Sequence, residues 1–423
     1  MGEGGQVYGR GRVMNIVVPV RRLRFAPFET FRSPGYRCLW GASLLWNQAR
    51  WMDQVVLGWV VLEMTNSAWH LAVIGALRWL PLLMFGVAGG AVADRVDRRW
   101  LLIGAQALGL GVCLGTALLL VSGRFDFTFA ALATFLLGLQ WAVDWPTRRA
   151  LIPDLVGREL TVNAVALEAV SMNITRIVGP LVAGALVAYL NPAAAFLVMA
   201  VLYLAEIALL KIMPLAVRGR QVASGPMLRY LLDGFDKLRE NQPIVGVLLI
   251  SACMNILVFP YQQLLPVFAR DVLLVDAVGL GALSAATGVG SFVGALAIAF
   301  SRSVPRSGLM FWAGSCLTST CLVGFALSGN FILALALLGL SGLGQAAFAS
   351  LQSTIVLGRA SDQLRGRAMG ALTLAIGSSP LGTLEIGAVT VWLGAPLAVA
   401  LNAGACAALV GVVAQRLPKF RAS

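Results

Sequence analysis

Long apolar runs, separated by short polar or charged turns, constrain this chain more than any other feature. Of its 423 residues, 59% are hydrophobic and 12% are charged, and the mean hydropathy is +0.83. A soluble core of this length cannot bury so much apolar sequence. A hydrocarbon core of about 30 Å needs roughly 20 apolar residues per helix. Because the runs are continuous rather than alternating, they predict about twelve membrane-spanning helices instead of a β-barrel.

Basic side chains are distributed unequally among the turns between these runs. The terminal segments and every second turn hold 27 of the 32 lysines and arginines, whereas the opposite turns hold only Arg124 and Arg270. Positively charged turns stay in the cytoplasm, so this asymmetry predicts that both termini are cytoplasmic. It also accounts for the net charge of +13 without a nucleic-acid partner. The six cysteines lack metal-ligand spacing, so no metal, disulfide or cofactor is expected.

The most informative charged turn is residues 90–99, with the sequence GAVADRVDRR. Its spacing, Gly-x-x-Ala-Asp-Arg-x-x-Arg-Arg, resembles the signature loop between helices 2 and 3 of the major facilitator superfamily of secondary transporters. A turn that only follows the positive-inside rule needs arginine but no aspartate at the end of a span. The resemblance implies an all-α integral membrane fold, with twelve transmembrane helices in two six-helix bundles.

The same resemblance implies a conformational switch. Asp94 is expected at the cytoplasmic end of the second helix, near Arg148 or Arg149 and near the start of the eleventh helix, where unpaired backbone amides favour a carboxylate. This contact is expected only while the cytoplasmic side is closed. The switch residues are therefore expected to be Gly90, Asp94, Arg95, Arg98, Arg99, Arg148, Arg149 and Gly366.

The region of the fourth and fifth helices narrows the resemblance. The sequence QWAVDWPTRR at 140–149, followed by a loop expected at 150–164, resembles facilitators related to bacterial siderophore exporters, a group also called transmembrane secretion effectors. Pro146 is expected to end or kink the fourth helix, because proline cannot donate a backbone hydrogen bond.

The fifth predicted span contains the sequence TRIVGPLVAG at 175–184. It resembles the Gly-Pro antiporter motif of exporter branches, although Ala166 and Thr175 stand where glycines are usual. A bend followed by small residues would let a neighbouring backbone approach and seal the helix against leakage. A generic packing kink is the alternative interpretation. The motif residues are Gly179, Pro180 and Gly184.

The second half of the chain weakly repeats the first, at an offset of about 209 residues. A parallel repeat of this kind places a central cavity between the halves. The expected organisation is a basic cytoplasmic tail at 1–37, a first bundle at 38–214, a cytoplasmic linker at 215–242, a second bundle at 243–416 and a cytoplasmic tail at 417–423.

Polar side chains inside the predicted spans identify the cavity. A charged side chain facing lipid costs several kcal/mol, so these residues must face protein or water. Arg50 and Asp53 are three residues apart, which predicts an ion pair with a role at the substrate site or a purely structural one. Aromatic residues mixed with amides suit an amphipathic organic molecule. The expected cavity residues are Asn47, Arg50, Trp51, Gln54, Arg78, Gln140, Trp141, Met172, Arg176, Asn255, Phe259, Gln262, Gln263, Gln345 and Phe348.

The energy source is predicted to be an ion gradient, because the chain has no glycine-rich phosphate loop ending in Gly-Lys-Ser or Gly-Lys-Thr. Acids inside spans favour protons as the coupling ion. The candidates are Glu168, Asp53, Asp144 and Glu385. Glu168 is favoured, since it shares a helical face with Arg176 at a spacing loose enough for the pair to break and re-form.

These features together predict a monomeric secondary transporter of the bacterial inner membrane rather than an enzyme. It would export an amphipathic organic molecule, such as a siderophore, a drug or a secondary metabolite, in exchange for protons. Two alternatives stay open. An importer of a small metabolite would have a similar cavity, and a non-transporting receptor or assembly partner would have the same fold, although it would not need the buried charges.

Overall fold

A computed structural model of the protein describes residues 27–93, 97–214, 241–300, 306–360, 364–417 and Phe420. Almost all of these residues are helical. Two π-helical segments, Met254–Val258 and Phe268–Val272, follow α7 and α8. The helices are α1 (Pro27–Thr30), α2 (Pro34–Thr65), α3 (Ala68–Ala93), α4 (Arg98–Val121), α5 (Phe127–Tyr189), α6 (Pro192–Ile212), α7 (Gln242–Cys253), α8 (Tyr261–Val267), α9 (Ala277–Phe300), α10 (Ser307–Ala326), α11 (Phe331–Arg359), α12 (Arg365–Ile376) and α13 (Ser379–Arg416).

Nine stretches of the described helices are long and apolar enough to cross a bilayer. One of them, Arg365–Arg416, contains 52 residues of α12 and α13, which is enough helical length to cross a hydrocarbon core of about 30 Å twice. Helices α2 and α3, with 32 and 26 residues, are also long enough. The protein is therefore a multi-pass membrane protein whose helices are consistent with twelve spans.

Polar caps determine where several helices begin and end. The Ser33 side chain accepts a hydrogen bond from the Tyr36 backbone amide, so α2 begins at Pro34 rather than near Cys38. Asn66 ends α2 in the left-handed conformation. Asp126, Asn191 and Asn330 cap α5, α6 and α11 in the same way as Ser33 caps α2, at the turns between apolar runs.

The loop expected at 150–164 is wrong. Helix α5 continues through this region and breaks only at Gly157, where φ is 77° and ψ is 167°. Glycine adopts this conformation at little cost, so a single residue suffices to join the arms Phe127–Gly157 and Glu159–Tyr189. Pro146 does not end the helix, and an ion pair between Asp144 and Arg148 spans the turn that contains it.

The helices pack as two halves. In the first half, α2 contacts α5 and α6, and α4 contacts α6. In the second half, α11 contacts α9 and α10, and α10 contacts α13. The α5–α9 and α3–α13 contacts join the halves. The central cavity lies between these two contacts.

Candidate functional site

A cavity of about 340 Å³ lies between the two halves. Its volume falls in the range of small-molecule binding sites. Its lining combines tryptophans, amides and arginines from both halves. The lining residues are Arg50, Trp51, Gln54, Arg78, Trp79, Trp141, Trp145, Met172, Arg176, Asn255, Phe259, Pro260, Gln262, Gln263, Gln345, Phe348, Ala349, Gln352, Ile376, Ser379 and Thr383.

All but two of the expected cavity residues line this space. Asn47 lies in a neighbouring side pocket, and Gln140 is turned away into a buried hydrogen-bond network. Several lining residues were not anticipated, although Trp145 follows the anticipated Trp141 by one helical turn. The residues that were missed are Trp79, Trp145, Pro260, Ala349, Ile376, Ser379 and Thr383.

The expected pair of Arg50 with Asp53 does not form. Asp53 is buried and pairs with Arg78 of the adjacent helix α3 instead. Arg50 turns toward α5, and its guanidinium carbon lies 4.2 Å from the ring centroid of Trp141. The same carbon lies 5.7 Å from the ring centroids of Trp46 and Trp51 on its own helix. Spacing along one helix allows a pair, but here a side chain from the neighbouring helix reaches Asp53.

Arg176 connects the two halves across the cavity. It donates hydrogen bonds to Gln345 Oε1 at 2.8 Å and to Ser291 Oγ at 3.4 Å, and its guanidinium carbon lies 5.4 Å from the Trp51 ring centroid. Arg176 and Glu168, which are expected to pair loosely, are not paired in this structure, because the two side chains line different pockets. Met172, which lies between them on α5, lines both pockets.

A buried ionic network surrounds Arg148 in the first half. Arg148 donates two hydrogen bonds to Asp144, at 2.8 and 2.9 Å, and one to Glu206 Oε1 at 2.6 Å. Gln106 donates a further bond to Asp144, and Gln140 donates to Gln106, each at 2.6 Å. Both carboxylate side chains are 0% exposed. Through Arg148, Glu206 of α6 is thus joined to α5.

Glu168 joins this network through Ser43. The Ser43 hydroxyl accepts a hydrogen bond from Arg148 at 3.1 Å and lies within hydrogen-bonding reach of the Glu168 carboxylate. Glu168 lines a side pocket of about 80 Å³ together with Asn47 and Arg149. Trp145 and Met172 line both this pocket and the central cavity, so the two spaces share a wall.

The residues expected to form the conformational switch lie in several places. Asp94 and Arg95 are outside the described residues, whereas Gly90 lies in α3 and Gly366 in the first turn of α12. Of the other switch residues, Arg98 donates to Asp154 at 2.6 Å, and the Arg99 backbone amide donates to Asp97. The Arg149 guanidinium carbon lies 4.3 Å from the ring centroid of Trp145. The last coupling candidate, Glu385, accepts a hydrogen bond from Asn402 at 2.6 Å.

The Gly-Pro segment of α5 packs tightly against helices of both halves. A Cβ on Gly179 would lie 2.6 Å from Trp51 Cβ of α2, and one on Gly184 would overlap the Ala277 carbonyl oxygen at the start of α9. At the same end of the molecule, Arg270 donates to the Leu62 carbonyl oxygen at 3.1 Å and to the Asn66 side chain. We call this end the Asn66 end. The contacts of Gly184 and Arg270 between the two halves close the Asn66 end.

A larger side chain at Gly184 is expected to hold the Asn66 end open. In Gly184→Val, overlap with the α9 backbone costs about 1–3 kcal/mol in the closed form, enough to change the population of open molecules by about tenfold. The measurement is the rate at which an impermeant maleimide labels Gln262→Cys from the Asn66 side, in a cysteine-free background. Gly115→Val is the matched control, because no atom lies within 4 Å of a Cβ built there. An unchanged labelling rate in Gly184→Val would remove this glycine from the closure.

Comparison with solved structures defines the class of protein. A bacterial homologue of the human lysosomal transporter Spinster, in an inward-facing conformation, superposes with a TM-score of 0.71 at 15% identity, covering 93% of this chain and 99% of the other. A POT family transporter superposes with a TM-score of 0.74 at 11% identity, over 91% and 96%. The chain therefore has the fold of these transporters.

The chain belongs to the transmembrane secretion effector family of the major facilitator superfamily, whose family model matches residues 24–423, and it is a transporter rather than an enzyme. It is 27% identical to the staphyloferrin A transporter of Staphylococcus aureus, over 81% of this chain and 86% of the relative. It is 28% identical to the enterobactin exporter EntS of Escherichia coli, over 76% and 78%. The macrolide efflux protein A of Streptococcus pyogenes is 26% identical over 52% and 54%. The family predicted from residues 90–99 and 140–164 is thus confirmed.

Proposed function

We propose that the protein exports an amphipathic organic molecule across the bacterial inner membrane in exchange for protons. The observation that carries this proposal is the central cavity between the halves, lined by aromatic and amide side chains from both. A site shared by two bundles that rock against each other can open to either side of the membrane. The relatives named for enterobactin export and macrolide efflux support the outward direction.

The coupling site in this proposal is the network around Arg148. Asp144, Glu206 and Glu168 are gathered around this one guanidinium, which cannot neutralise three carboxylates in a buried environment. Asp144 accepts three hydrogen bonds. By contrast, Glu206 Oε2 and Glu168 Oε1 are buried and have no hydrogen-bond partner among the described residues. Protons carried on these two glutamates would balance the charge.

The shared wall connects this network to substrate binding. A molecule in the central cavity touches Trp145 and Met172, and a shift of either side chain changes the side pocket that holds Glu168. Through these two side chains, a molecule bound in the cavity therefore alters the surroundings of the protonated Glu168 carboxyl group. Glu168 remains a coupling candidate, and Glu206 joins it.

Transport in vesicles tests the proposal. The purified protein is reconstituted with its cytoplasmic face outward, and three fluorescent probes are supplied: dansylglycine, its amide, and dansyl-ethylenediamine. An acidic lumen should drive accumulation of at least one probe above the level in protein-free vesicles, and a protonophore should abolish it. Dansylglycine is a sharp probe, because passive distribution drives a weak acid out of an acidic lumen. Equal accumulation of all three probes with and without the gradient would contradict proton coupling.

The orientation of the chain is a further prediction of this proposal. Single cysteines at Arg218 and Gly123, in a cysteine-free background, should be labelled from the cytoplasmic side and the outer side, respectively. The physical reason is the excess of basic residues in alternate turns, with 27 of 32 on one side. Labelling in right-side-out and inverted vesicles measures it. The opposite labelling pattern would place the Asn66 end in the cytoplasm.

A further inference from the structure

We infer that the substrate is an organic anion, with an oxyanion group held by Arg50 and Arg176 and an aromatic or extended apolar part held by the tryptophans. This inference deepens the proposed function and rests on it for the identity of the site. The charge of the cavity lining is the first observation. Three arginines line the cavity, and none of its lining residues in the described part of the chain is an aspartate or glutamate.

The charge of Arg78 is already balanced, but those of the other two arginines are not. Asp53 pairs with Arg78 from outside the cavity lining. Arg50 stacks on tryptophan rings and makes no hydrogen bond to a described residue, and Arg176 bonds only to neutral oxygens of Gln345 and Ser291. The cavity therefore carries two uncompensated positive charges. Burying such charges costs several kcal/mol, which a bound anion would offset.

Both guanidinium groups lie near the same aromatic ring. The Arg50 and Arg176 carbons are 5.7 and 5.4 Å from the Trp51 ring centroid. Arg50 is held against Trp141 by a cation–π contact at 4.2 Å, which leaves its hydrogen-bond donors free for an acceptor. Arg groups in this position can bind a carboxylate or a similar oxyanion through paired hydrogen bonds.

Unused hydrogen-bond donors give a second, independent observation. The buried nitrogens Trp51 Nε1, Trp141 Nε1, Gln345 Nε2 and Arg78 Nε have no acceptor among the described residues. Gln352 Oε1 is the corresponding unpaired oxygen of the lining. Since donors outnumber acceptors, a ligand that fits this cavity must be rich in acceptors. A cationic amine would meet the wrong charge and the wrong hydrogen-bond partners.

The apolar part of the site favours an aromatic or extended group. Trp79 and Trp141 pack edge to face at 4.6 Å on one side, and Phe259 and Phe348 pack edge to face at 5.3 Å on the other. Ring faces of this kind bind flat apolar groups. Charge and aromatic surface together define an amphipathic anion.

Equilibrium binding to the purified protein in detergent tests the inference. The three dansyl probes share one ring system and differ in charge, and dansyl fluorescence excited through tryptophan reports binding. Dansylglycine should bind at least about tenfold more tightly than its amide, because a charge-assisted hydrogen bond contributes about 1.5–3 kcal/mol. The ammonium probe should bind more weakly than the amide. Failure of the carboxylate probe to bind, or the absence of a charge preference, would overturn the inference.

Substitution of each arginine tests which side chains cause the preference for the carboxylate probe. Arg50→Gln and Arg176→Gln should each weaken dansylglycine binding by about 10–100-fold and leave amide binding nearly unchanged, whereas Arg50→Lys should retain part of the preference. Arg124→Gln, on an exposed turn, is the matched control. The wild-type comparison of the three probes decides the question even if a variant does not fold. Binding in detergent needs no gradient, so failure of the charge preference is distinguishable from failure of proton-driven transport.

Discussion

Arg148→Gln is expected to destabilise the protein by about 3–5 kcal/mol. The substitution leaves Asp144 and Glu206, both 0% exposed, without the guanidinium that they share. Removing one partner of a buried ion pair is more costly than the pair's net contribution, because the remaining charge loses its compensation. The measurement is the unfolding midpoint of the detergent-solubilised protein, followed by tryptophan fluorescence.

The adjacent arginine is the matched control for this prediction. Arg149 is exposed and stacks on Trp145 at 4.3 Å, so Arg149→Gln should shift the midpoint little. Adding Glu206→Gln to Arg148→Gln should restore part of the stability, because the amide, unlike the carboxyl group, does not depend on the lost guanidinium. If Arg148→Gln unfolds at the wild-type midpoint, or if the second substitution destabilises the protein further, the carboxylates do not depend on this arginine.

The residues around the cavity could be predicted because of where they occur in the sequence. A polar side chain inside an apolar run cannot face lipid at low cost, so Arg50, Gln262 and Gln345 had to face protein or water. Helical periodicity then grouped the residues of each helix into faces. In the second half, this reasoning predicted the amide side chains that line the cavity, because the polar residues of each helix share one face.

The partners of the charged residues could not be predicted in the same way. Spacing of three or four residues indicates which side chains share a face of one helix, but it does not show which neighbouring helix brings a competing partner. Arg78 reaches Asp53 from α3, and Arg148 reaches Glu206 of α6. Both pairs depend on helix packing, which the period of one helix does not encode.

The helix break at Gly157 also could not be predicted from the sequence. The sequence favours an end or a kink of the fourth helix at Pro146, yet Pro146 and Pro153 both lie inside α5. A proline removes one backbone hydrogen bond but still fits helical φ, whereas the reversal at this point needs a positive φ that only glycine adopts at little cost. Glycine was the more informative residue in this segment.

Neutralising a coupling glutamate is expected to abolish gradient-driven transport while substrate binding survives. In Glu168→Gln and in Glu206→Gln, the amide keeps the size of the side chain but cannot release a proton. Accumulation of dansylglycine against an acidic lumen should fall by about tenfold or more, because a transporter without a titrating group cannot be driven by protons. Equilibrium binding and gradient-free exchange of the probe should remain, since neither residue lines the central cavity.

The two glutamates should differ in how strongly substrate affects them. Glu168 shares the wall of Trp145 and Met172 with the cavity, whereas Glu206 is enclosed behind Arg148. Binding of dansylglycine to detergent-solubilised wild type should therefore release or take up protons, measured with a pH indicator in weak buffer. Glu168→Gln should remove most of that signal and Glu206→Gln a smaller part. Glu63→Gln, at the exposed end of α2, is the matched control and should behave as wild type. Wild-type gradient dependence in both variants would exclude these two glutamates from coupling, and the remaining candidates would be Asp144 beside Arg148, Asp53 beside Arg78 and Glu385 beside Asn402.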